Sequence, residues 1–245
     1  MSTPQTFQET TALEWLNHFK EEWQQGEHVV ICGPTGTGKT YFAQPIVDIR
    51  DHVCVLAVKP RDETLERFQN GYKYGYKRYK LTRHWPPGYS DDQKYIYWEK
   101  PEGIDRIEEQ SKKIHAALNR MYREGGWTIY FDEAGYISGT LGLGRALGVL
   151  LNQGRSSGIS VVVTVTRPTS MIAKVPKEAF SQPRHKIIFK YENRDEMKAA
   201  AQVADMGIKE LEEYQNALET YYPKGYSDFL YIGKGKTMII RNGEH

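Results

Sequence analysis

A glycine-rich segment near the start of the chain has the residue types and spacing that suit phosphate binding. Residues 33–40 match the pattern G-x-x-x-x-G-K-[ST] in full. Glycines let the backbone turn tightly and point its N–H groups inward, which forms an anion-binding nest at the start of a helix. The motif predicts binding of a nucleoside triphosphate, ATP, by Gly33, Pro34, Thr35, Gly36, Thr37, Gly38, Lys39 and Thr40. Lys39 is expected to reach the β- and γ-phosphates, and the Thr40 hydroxyl to bind Mg²⁺.

Two adjacent carboxylates follow a later apolar run, Trp127–Phe131. A buried parallel strand presents catalytic groups where it ends, so Asp132 is predicted to hold the Mg²⁺ together with Thr40. Glu133 can orient and deprotonate a water molecule for attack on the γ-phosphate. A solvated acidic turn is the alternative. The two motifs together predict ATP hydrolysis coupled to work, rather than phosphoryl transfer to a metabolite.

Apolar runs and helical patterns alternate around these motifs. Short apolar runs predict strands at 28–32, 53–58, 127–131, 159–165 and 186–189, with a closing hairpin of 229–232 and 238–240. Helical spacing of apolar residues predicts helices at 11–25, 39–46, 104–123, 141–152, 194–205 and 209–220. This order predicts a single α/β domain with a mostly parallel central sheet and helices on both faces. We expect residues 1–26 to be an N-terminal helical extension and 27–245 to be the nucleotide-binding domain.

The charge balance argues against one class of protein. Lys and Arg number 33 and Asp and Glu 31, which leaves a formal charge of +2 over 245 residues. A polybasic nucleic-acid coat protein needs a large positive excess. Cys32 and Cys54 lie in apolar runs and predict buried thiols rather than a disulfide scaffold. No apolar run approaches the roughly 20 residues that span a bilayer, so we expect no membrane segment and a cytoplasmic location.

The segment after the Asp-Glu pair carries a family resemblance. Residues 154–169 read G-R-S-S-G-I-S-V-V-V-T-V-T-R-P-T, an Arg-x-x-Gly-Ile start, an apolar strand and a Thr-Arg-Pro end. With the phosphate loop and the Asp-Glu strand in this order, the chain resembles the FtsK/HerA superfamily of DNA-pumping ATPases. At this compact size it is most similar to the genome-packaging ATPases of bacterial viruses. The resemblance runs from about residue 28 to 240 and implies a RecA-like P-loop NTPase fold.

The resemblance also implies roles for Arg155 and Thr166. Arg155 matches the family's arginine finger, which reaches the ATP of the neighbouring subunit in a ring, so a homo-oligomer, by analogy a hexamer, is implied. Thr166 occupies the sensor position, where the family has Gln, and its shorter side chain departs from that pattern. Arg145 and Arg167 are further candidates for the finger. The alternative for Arg155 is an exposed helix-end arginine that interacts with the helix dipole.

Residues 67–90 concentrate positive charge among aromatic side chains. No acidic residue lies between Glu66 and Asp91, and six Lys or Arg residues occur there. Basic groups can contact phosphates and aromatic groups can stack, which suits sequence-independent contact with nucleic acid. A tyrosine-rich surface layer and a subunit contact are the alternatives. We expect this basic aromatic excursion, about residues 67–98, to supply the DNA-contact candidates Lys73, Lys77, Arg78, Lys80 and Arg83.

Two other segments follow predicted strands. Residues 59–62 could contact the nucleotide or a neighbouring subunit, or form a plain turn. Residues 135–144 contain four glycines and predict either a lever that responds to nucleotide or an irregular lead into a helix.

These observations combine into one functional expectation. The chain is expected to be an ATP-hydrolysing motor that translocates double-stranded DNA and packages a viral genome into a capsid, in the host cytoplasm or associated with the virion. A capsid portal or vertex protein is the expected docking partner. The alternatives are a plasmid-transfer or chromosome-segregation pump of the same superfamily, a P-loop nucleotide or small-molecule kinase, and a nucleotide-gated scaffold with negligible hydrolysis.

Overall fold

In the part of the chain that the structure describes, ten strands form one mixed sheet in the order β1-β10-β9-β8-β2-β7-β6-β3-β5-β4. The structure is a computed structural model and describes residues 7–59, 64–71, 78–86, 93–100, 103–168, 174–220 and 227–242. The strands are β1 Glu9–Thr11, β2 Val29–Cys32, β3 Val53–Ala57, β4 Lys80–Thr82, β5 Lys94–Trp98, β6 Thr128–Phe131, β7 Ser160–Val165, β8 His185–Phe189, β9 Phe229–Gly233 and β10 Lys236–Arg241. Only β9 runs antiparallel to its neighbours, β8 and β10, so the predicted mostly parallel α/β sheet is confirmed.

Helices pack on both faces of this sheet. They are α1 Ala12–Glu22, α2 Lys39–Asp48, α3 Thr64–Gln69, α4 Ile107–Glu124, α5 Gly144–Gln153, α6 Glu178–Ser181, α7 Arg194–Ala204 and α8 Ile208–Ala217. One face buries Trp15, Phe19, Phe42 and Ile46 from α1 and α2. The other buries Ile114 and Leu118 of α4 and Leu147 of α5. Successive β7 residues alternate between the two cores, because side chains of a strand point to opposite faces.

The first of the described residues, from residue 7 onward, join this sheet. Thr11 caps α1 through reciprocal hydrogen bonds with Glu14. Trp15, Phe19 and Trp23 of this region are buried, and β1 pairs in parallel with β10. The segment therefore buries aromatic surface on the same core as α2.

Three strands were not predicted from the sequence: β1, β4 and β5. Two of them, β4 and β5, lie inside the basic aromatic segment 67–98. The β5 strand begins with a charged residue, Lys94, and for that reason its sequence does not look like a buried strand. The Lys94 side chain is nevertheless buried, and its ammonium bonds to the Asp48 carboxylate at 2.8 Å and to the Asp48 carbonyl at 2.6 Å.

The central strands β2, β7, β6 and β3 are parallel and give the sheet two distinct edges. We call the side where they end, at residues 32, 165, 131 and 57, the carboxyl edge, and the side where they begin the amino edge. Ligands of open parallel sheets bind beyond the carboxyl ends of the strands. None of the helices in the described ranges combines the length and apolar character that crossing a bilayer requires.

Candidate functional site

The phosphate loop connects β2 to α2 at the carboxyl edge, as its sequence context predicts. Gly36 and Gly38 have φ of 87° and 95°, a left-handed conformation that glycine adopts without strain. Gly33 is needed for a different reason: a Cβ there would lie 2.7 Å from the Phe189 Cβ. Gly38 precedes α2 and offers no side-chain cap, so the first N–H groups of α2 are open to an anion.

The Lys39 ammonium folds back over the loop and donates to the Pro34 carbonyl at 2.8 Å. Thr37 Oγ1 donates to the same carbonyl at 2.9 Å. Burial lowers the pKa of Lys39 below its usual value, and the Asp132 charge opposes that shift. The lysine is thus held at the loop by a neutral carbonyl, which an incoming phosphate can replace as the stronger partner.

Asp132 follows β6 and meets the phosphate loop. Its Oδ1 accepts hydrogen bonds from Thr40 Oγ1 at 3.3 Å, Tyr130 OH at 3.1 Å and Thr164 Oγ1 at 3.1 Å. Asp132 is only 7% exposed. Burial and the adjacent Asp132 charge raise the pKa of Tyr130 well above its ordinary value, so Tyr130 remains a proton donor to this carboxylate.

The predicted magnesium ligands Thr40 and Asp132 are therefore brought together. Magnesium prefers oxygen ligands and keeps several waters, with one or two protein groups and the substrate phosphates completing its shell. A hydroxyl and a carboxylate beside a phosphate loop fit that donor set. Within the described residues no group of three or more His, Cys, Asp or Glu could hold a metal ion.

Glu133 lies next to Asp132 but has a different environment. Its φ of 60° is unusual for a residue with a side chain, and its carbonyl accepts from the Tyr136 and Ile137 N–H groups as the chain enters the next turn. Its Oε1 lies 2.7 Å from Lys59 Nζ, in a pair whose side chains are 39% and 44% exposed. Lys59 follows β3, the strand beside β6, so the segment singled out after β3 does reach the site.

A cavity of about 620 Å³ joins these groups, a size typical of ligand sites. Thr35, Gly36, Gly38, Lys39 and Thr40 line one side, and Asp132 and Glu133 line another. Thr166, the predicted sensor, lines it as well. So do Tyr41, Lys59, Thr164, Arg167 and Lys174.

The three arginine candidates occupy different places. Arg167 lines the cavity of its own chain, with Nε 3.6 Å from Glu196 Oε1. Arg145 is exposed in the first turn of α5. Arg155 lies at the amino edge, in the 3₁₀ turn Gly154–Ser157 that precedes β7. The structure therefore does not bring Arg155 to the nucleotide cavity of the same chain.

The backbone around Arg155 is closely held. The Arg155 carbonyl accepts from the Gly158 N–H at 3.1 Å, and a Cβ on Gly26 would lie 3.0 Å from that carbonyl oxygen. The side chain is exposed, and no described residue makes an ion pair or hydrogen bond with its guanidinium. A fixed turn thus presents an exposed cation.

The described part of the basic segment separates its charges from its rings. Arg78, Lys80 and Arg83 are exposed, and Lys80 belongs to β4, which is one of the two outer strands of the sheet. Tyr79 is 1% exposed and packs on Phe68, while Trp85 packs against Tyr95 and Trp127. These two rings pack against other aromatic side chains of the fold and are not available to stack on bases. Lys73 and Lys77 lie outside the described residues.

The glycine-containing segment 135–144 is helical for much of its length. Residues Tyr136–Thr140 form one π-helical turn, and α5 starts at Gly144. The Tyr136 hydroxyl donates to Gln110 Oε1 at 3.2 Å, and Ser111 Oγ donates to the Leu141 carbonyl at 2.6 Å. The segment therefore links Glu133 to α4 and α5.

Sequence reasoning missed Tyr130 and Thr164 as parts of the site. Both lie within apolar strands, where they look like ordinary buried residues. The sequence did contain a signal for them: both are hydroxyl residues near the ends of strands that were already predicted to end at the same edge of the sheet.

No protein-family model matches the chain, and no curated protein matches its sequence. Solved structures do match its fold. The genome packaging NTPase B204 from Sulfolobus turreted icosahedral virus 2, in complex with ATPγS, is similar with a TM-score of 0.56 and 16% identity, over 89% of this chain and 98% of B204. The pCW3 conjugation coupling protein TcpA matches with a TM-score of 0.50 and 13% identity, over 90% of this chain and 61% of TcpA.

The cytoplasmic domain of the type VII secretion ATPase EccC from Thermomonospora curvata is a third similar structure. Its TM-score is 0.54 at 12% identity, over 89% of this chain and 25% of that one. At these identities the likeness shows a shared fold, the α/β fold of P-loop ATPases. It agrees with the fold that the sequence resemblance implies.

Proposed function

We propose that this chain is an ATP-hydrolysing motor of the FtsK/HerA superfamily that translocates double-stranded DNA. The observation that carries the proposal is the meeting of Thr40, Asp132 and Glu133 with the phosphate loop in one cavity. Thr40 and Asp132 would hold Mg²⁺, which neutralises phosphate charge when bound. Glu133 then accepts the proton of the attacking water, and Lys39 steadies the β- and γ-phosphates.

The similar structures support the motor part of the proposal. B204 is a genome packaging NTPase and was solved with ATPγS, and TcpA is a conjugation coupling protein. B204 is also matched over nearly its whole length. We therefore favour genome packaging over plasmid transfer, with a capsid portal or vertex protein as docking partner, and a place of action in the host cytoplasm or on the virion.

Arg155 completes the proposal as a group acting between subunits. Because it is exposed at the amino edge of its own chain, it can reach a nucleotide only in a neighbouring copy. We propose a homo-oligomeric ring, by family analogy a hexamer, in which Arg155 stabilises charge at the neighbour's γ-phosphate. Thr166, at the cavity wall, would sense the γ-phosphate through its hydroxyl.

Exposed basic residues in and next to β4 would carry the DNA contact. Arg78, Lys80 and Arg83 are exposed together beside β4, and contacts to phosphates give affinity without reading sequence. Lys73 and Lys77 extend the same candidate set in the sequence. Tyr79 and Trp85 pack inward, so among the described residues the contact would come from the cations, and we expect it to weaken with salt.

ATP hydrolysis with and without duplex DNA tests the proposal. We expect Mg²⁺-dependent phosphate release that duplex DNA stimulates, and none in Lys39→Ala. A kinase would release product only with a small acceptor, and a scaffold would be silent, so either result would contradict the motor.

A charge-deletion variant tests the DNA path. In Arg78→Ala/Lys80→Ala/Arg83→Ala, we expect the DNA stimulation to fall while basal hydrolysis stays within about twofold, since surface substitutions of this kind cost little stability. Lys20→Ala/Lys112→Ala/Lys209→Ala removes three exposed charges elsewhere and serves as the matched control. Equal stimulation in both triple variants would mean that these three residues do not contact the DNA.

A further inference from the structure

Three hydroxyl groups from three different elements meet on one oxygen of Asp132. Thr40 comes from α2, Tyr130 from β6 and Thr164 from β7, and all three donate to Oδ1 at 3.1–3.3 Å. Hydrogen bonds to a charged acceptor contribute more than neutral ones. Of these donors, only Thr40 belongs to the nucleotide motif.

Tyr130 reaches Asp132 because the two residues are separated by one position in an extended chain. Side chains at i and i+2 of a strand point to the same face. The Tyr130 side chain is fully buried, and its ring centroid lies 6.1 Å from that of Phe68. Packing thus leaves the hydroxyl little freedom to move away from the carboxylate.

Thr164 reaches the same oxygen from the neighbouring strand. In the β6–β7 ladder Phe131 is opposite Val163, so Asp132 comes opposite Thr164 one step further on. Thr164 is 4% exposed, and its Oγ1 also lies 3.3 Å from the Phe131 carbonyl. The shorter contact, at 3.1 Å, is the one to the charged oxygen.

We propose that Tyr130 and Thr164 are positioning residues for the magnesium site, which fix the orientation of the Asp132 carboxylate so that the ion meets a preformed ligand. This inference rests on the proposed function, because it assumes that Mg²⁺ binds with the nucleotide. Groups that hold a ligand in place can change metal affinity by 10–100-fold when removed. Because Thr40 would bind the ion directly, Tyr130 and Thr164 are the two hydroxyl donors that can keep Asp132 oriented while the ion is bound.

Substitutions that remove one hydroxyl and little else test the proposal. Tyr130→Phe and Thr164→Val each delete a donor and keep the shape of the side chain, and Thr164→Ser restores the hydroxyl. Thr128→Val is the matched control: Thr128 is also buried in β6, and its Oγ1 has no hydrogen-bond partner within the described structure.

The measurement is calorimetric binding of the β,γ-imido analogue of ATP, first with EDTA and then over a range of Mg²⁺ concentrations. For Tyr130→Phe and Thr164→Val we expect the Mg²⁺ concentration at half-saturation to rise about tenfold. The metal-free affinity should change much less than the Mg²⁺ midpoint, because Tyr130 and Thr164 lie on strands β6 and β7 and neither belongs to the phosphate loop. Thr164→Ser and Thr128→Val should behave like the unsubstituted chain.

Three results would overturn the inference. One is an unchanged Mg²⁺ midpoint in both hydroxyl deletions. Another is an equal loss of affinity with and without metal, which would mean a general loosening of the site. The third is the same shift in Thr128→Val. If the unsubstituted chain itself bound the analogue without any Mg²⁺ dependence, the proposed function would fail before the variants were compared.

Discussion

The two edges of the sheet differ in the functional groups that they bring together. At the carboxyl edge Lys39, Thr40, Asp132 and Glu133 line one cavity. At the amino edge the exposed Arg155 lies on a turn that hydrogen bonds hold in place, and no described residue makes an ion pair with its guanidinium. The strand β7 between them has six residues, which corresponds to about 20 Å. In our proposal the chain thus binds nucleotide and activates water at one edge, and at the other it offers a cation to a neighbouring copy.

This difference indicates why a single subunit is an incomplete enzyme in our proposal. A cation about 20 Å from the site of its own chain gains a function only when a second copy brings its carboxyl edge alongside. The predictions below separate the two edges, from the largest expected effect to the smallest.

Arg155→Ala is expected to have the largest effect, and only in the assembled form. A finger that stabilises transition-state charge can contribute 10³–10⁵ in rate, so hydrolysis by the ring should fall by about that range while nucleotide binding persists. Arg145→Ala, also exposed on the neighbouring helix, is the matched control and should keep its activity. Steady-state ATPase with the oligomer verified by light scattering gives the measurement.

If Arg155→Ala left the assembled ATPase intact, the amino edge would have no part in the chemistry. Loss of activity in Arg145→Ala instead would move the finger to the start of α5. A mixing experiment distinguishes cis from trans action: Arg155→Ala and Glu133→Gln subunits should recover activity together if each supplies what the other lacks.

Glu133→Gln should give the next largest loss, at the carboxyl edge alone. General-base catalysis contributes about 10²–10⁴ in rate, and glutamine keeps the size of the side chain while losing the basic carboxylate. ATP analogue affinity should stay near that of the unsubstituted chain. Rapid-quench measurement of a single turnover checks this, and a variant that hydrolyses normally would assign water activation to another group.

The sequence also predicted some contacts of the site better than others. The phosphate loop and the Asp-Glu pair are local patterns, and parallel strands deliver them to one edge automatically, so their meeting could be inferred. The contact of Thr164 with Asp132 depends on the register between β6 and β7, which no single segment encodes, and Tyr130 lies in a continuous apolar run, where it looks like an ordinary core residue. They were therefore missed, although both residues are plainly visible in the sequence.

Strand prediction from the sequence failed at β5 for the same reason, namely that long-range contacts are not visible in a single segment. Continuous apolar runs such as Val29–Cys32 predicted central strands well, because both faces of a parallel strand are buried. The β5 strand begins with Lys94, and burial of its charge is compensated by the ion pair with Asp48, 46 positions earlier, which the local sequence does not reveal. The basic segment was thus expected as an excursion, although parts of it complete the sheet.

The amino edge should also be the more sensitive to acid. His28 Nε2 lies 3.0 Å from the Leu151 carbonyl, and its Nδ1 accepts from the Val161 N–H at 3.0 Å. Burial lowers the pKa of His28 to about 4 from 6.5, and the Arg155 charge acts in the same direction. Because the folded state favours the neutral ring, its contribution is full above pH 6.5 and is lost as the pH falls towards 4.

The expected size of that loss is about 3 kcal/mol in the free energy of unfolding. Chemical denaturation between pH 7 and 4 measures it, with His28→Gln flattening the pH dependence and His115→Gln, an exposed control, leaving it unchanged. Glu27 and His185 titrate nearby, so the difference between the variants is the diagnostic quantity. Identical slopes for His28→Gln and the unsubstituted chain would assign the acid sensitivity to those neighbours.

The smallest effect is expected from Lys59, whose ion pair with Glu133 spans 2.7 Å but is about two-fifths exposed. Exposed pairs contribute about 0.2–1 kcal/mol, so releasing the carboxylate in Lys59→Gln should raise basal ATPase by at most about fivefold. The Lys59→Gln/Glu133→Gln double variant supplies the control, because the gain must vanish when the carboxylate is gone. A tenfold fall in Lys59→Gln would instead mean that the ammonium binds the nucleotide, and Lys59 would then join Lys39 among the phosphate ligands of the carboxyl edge.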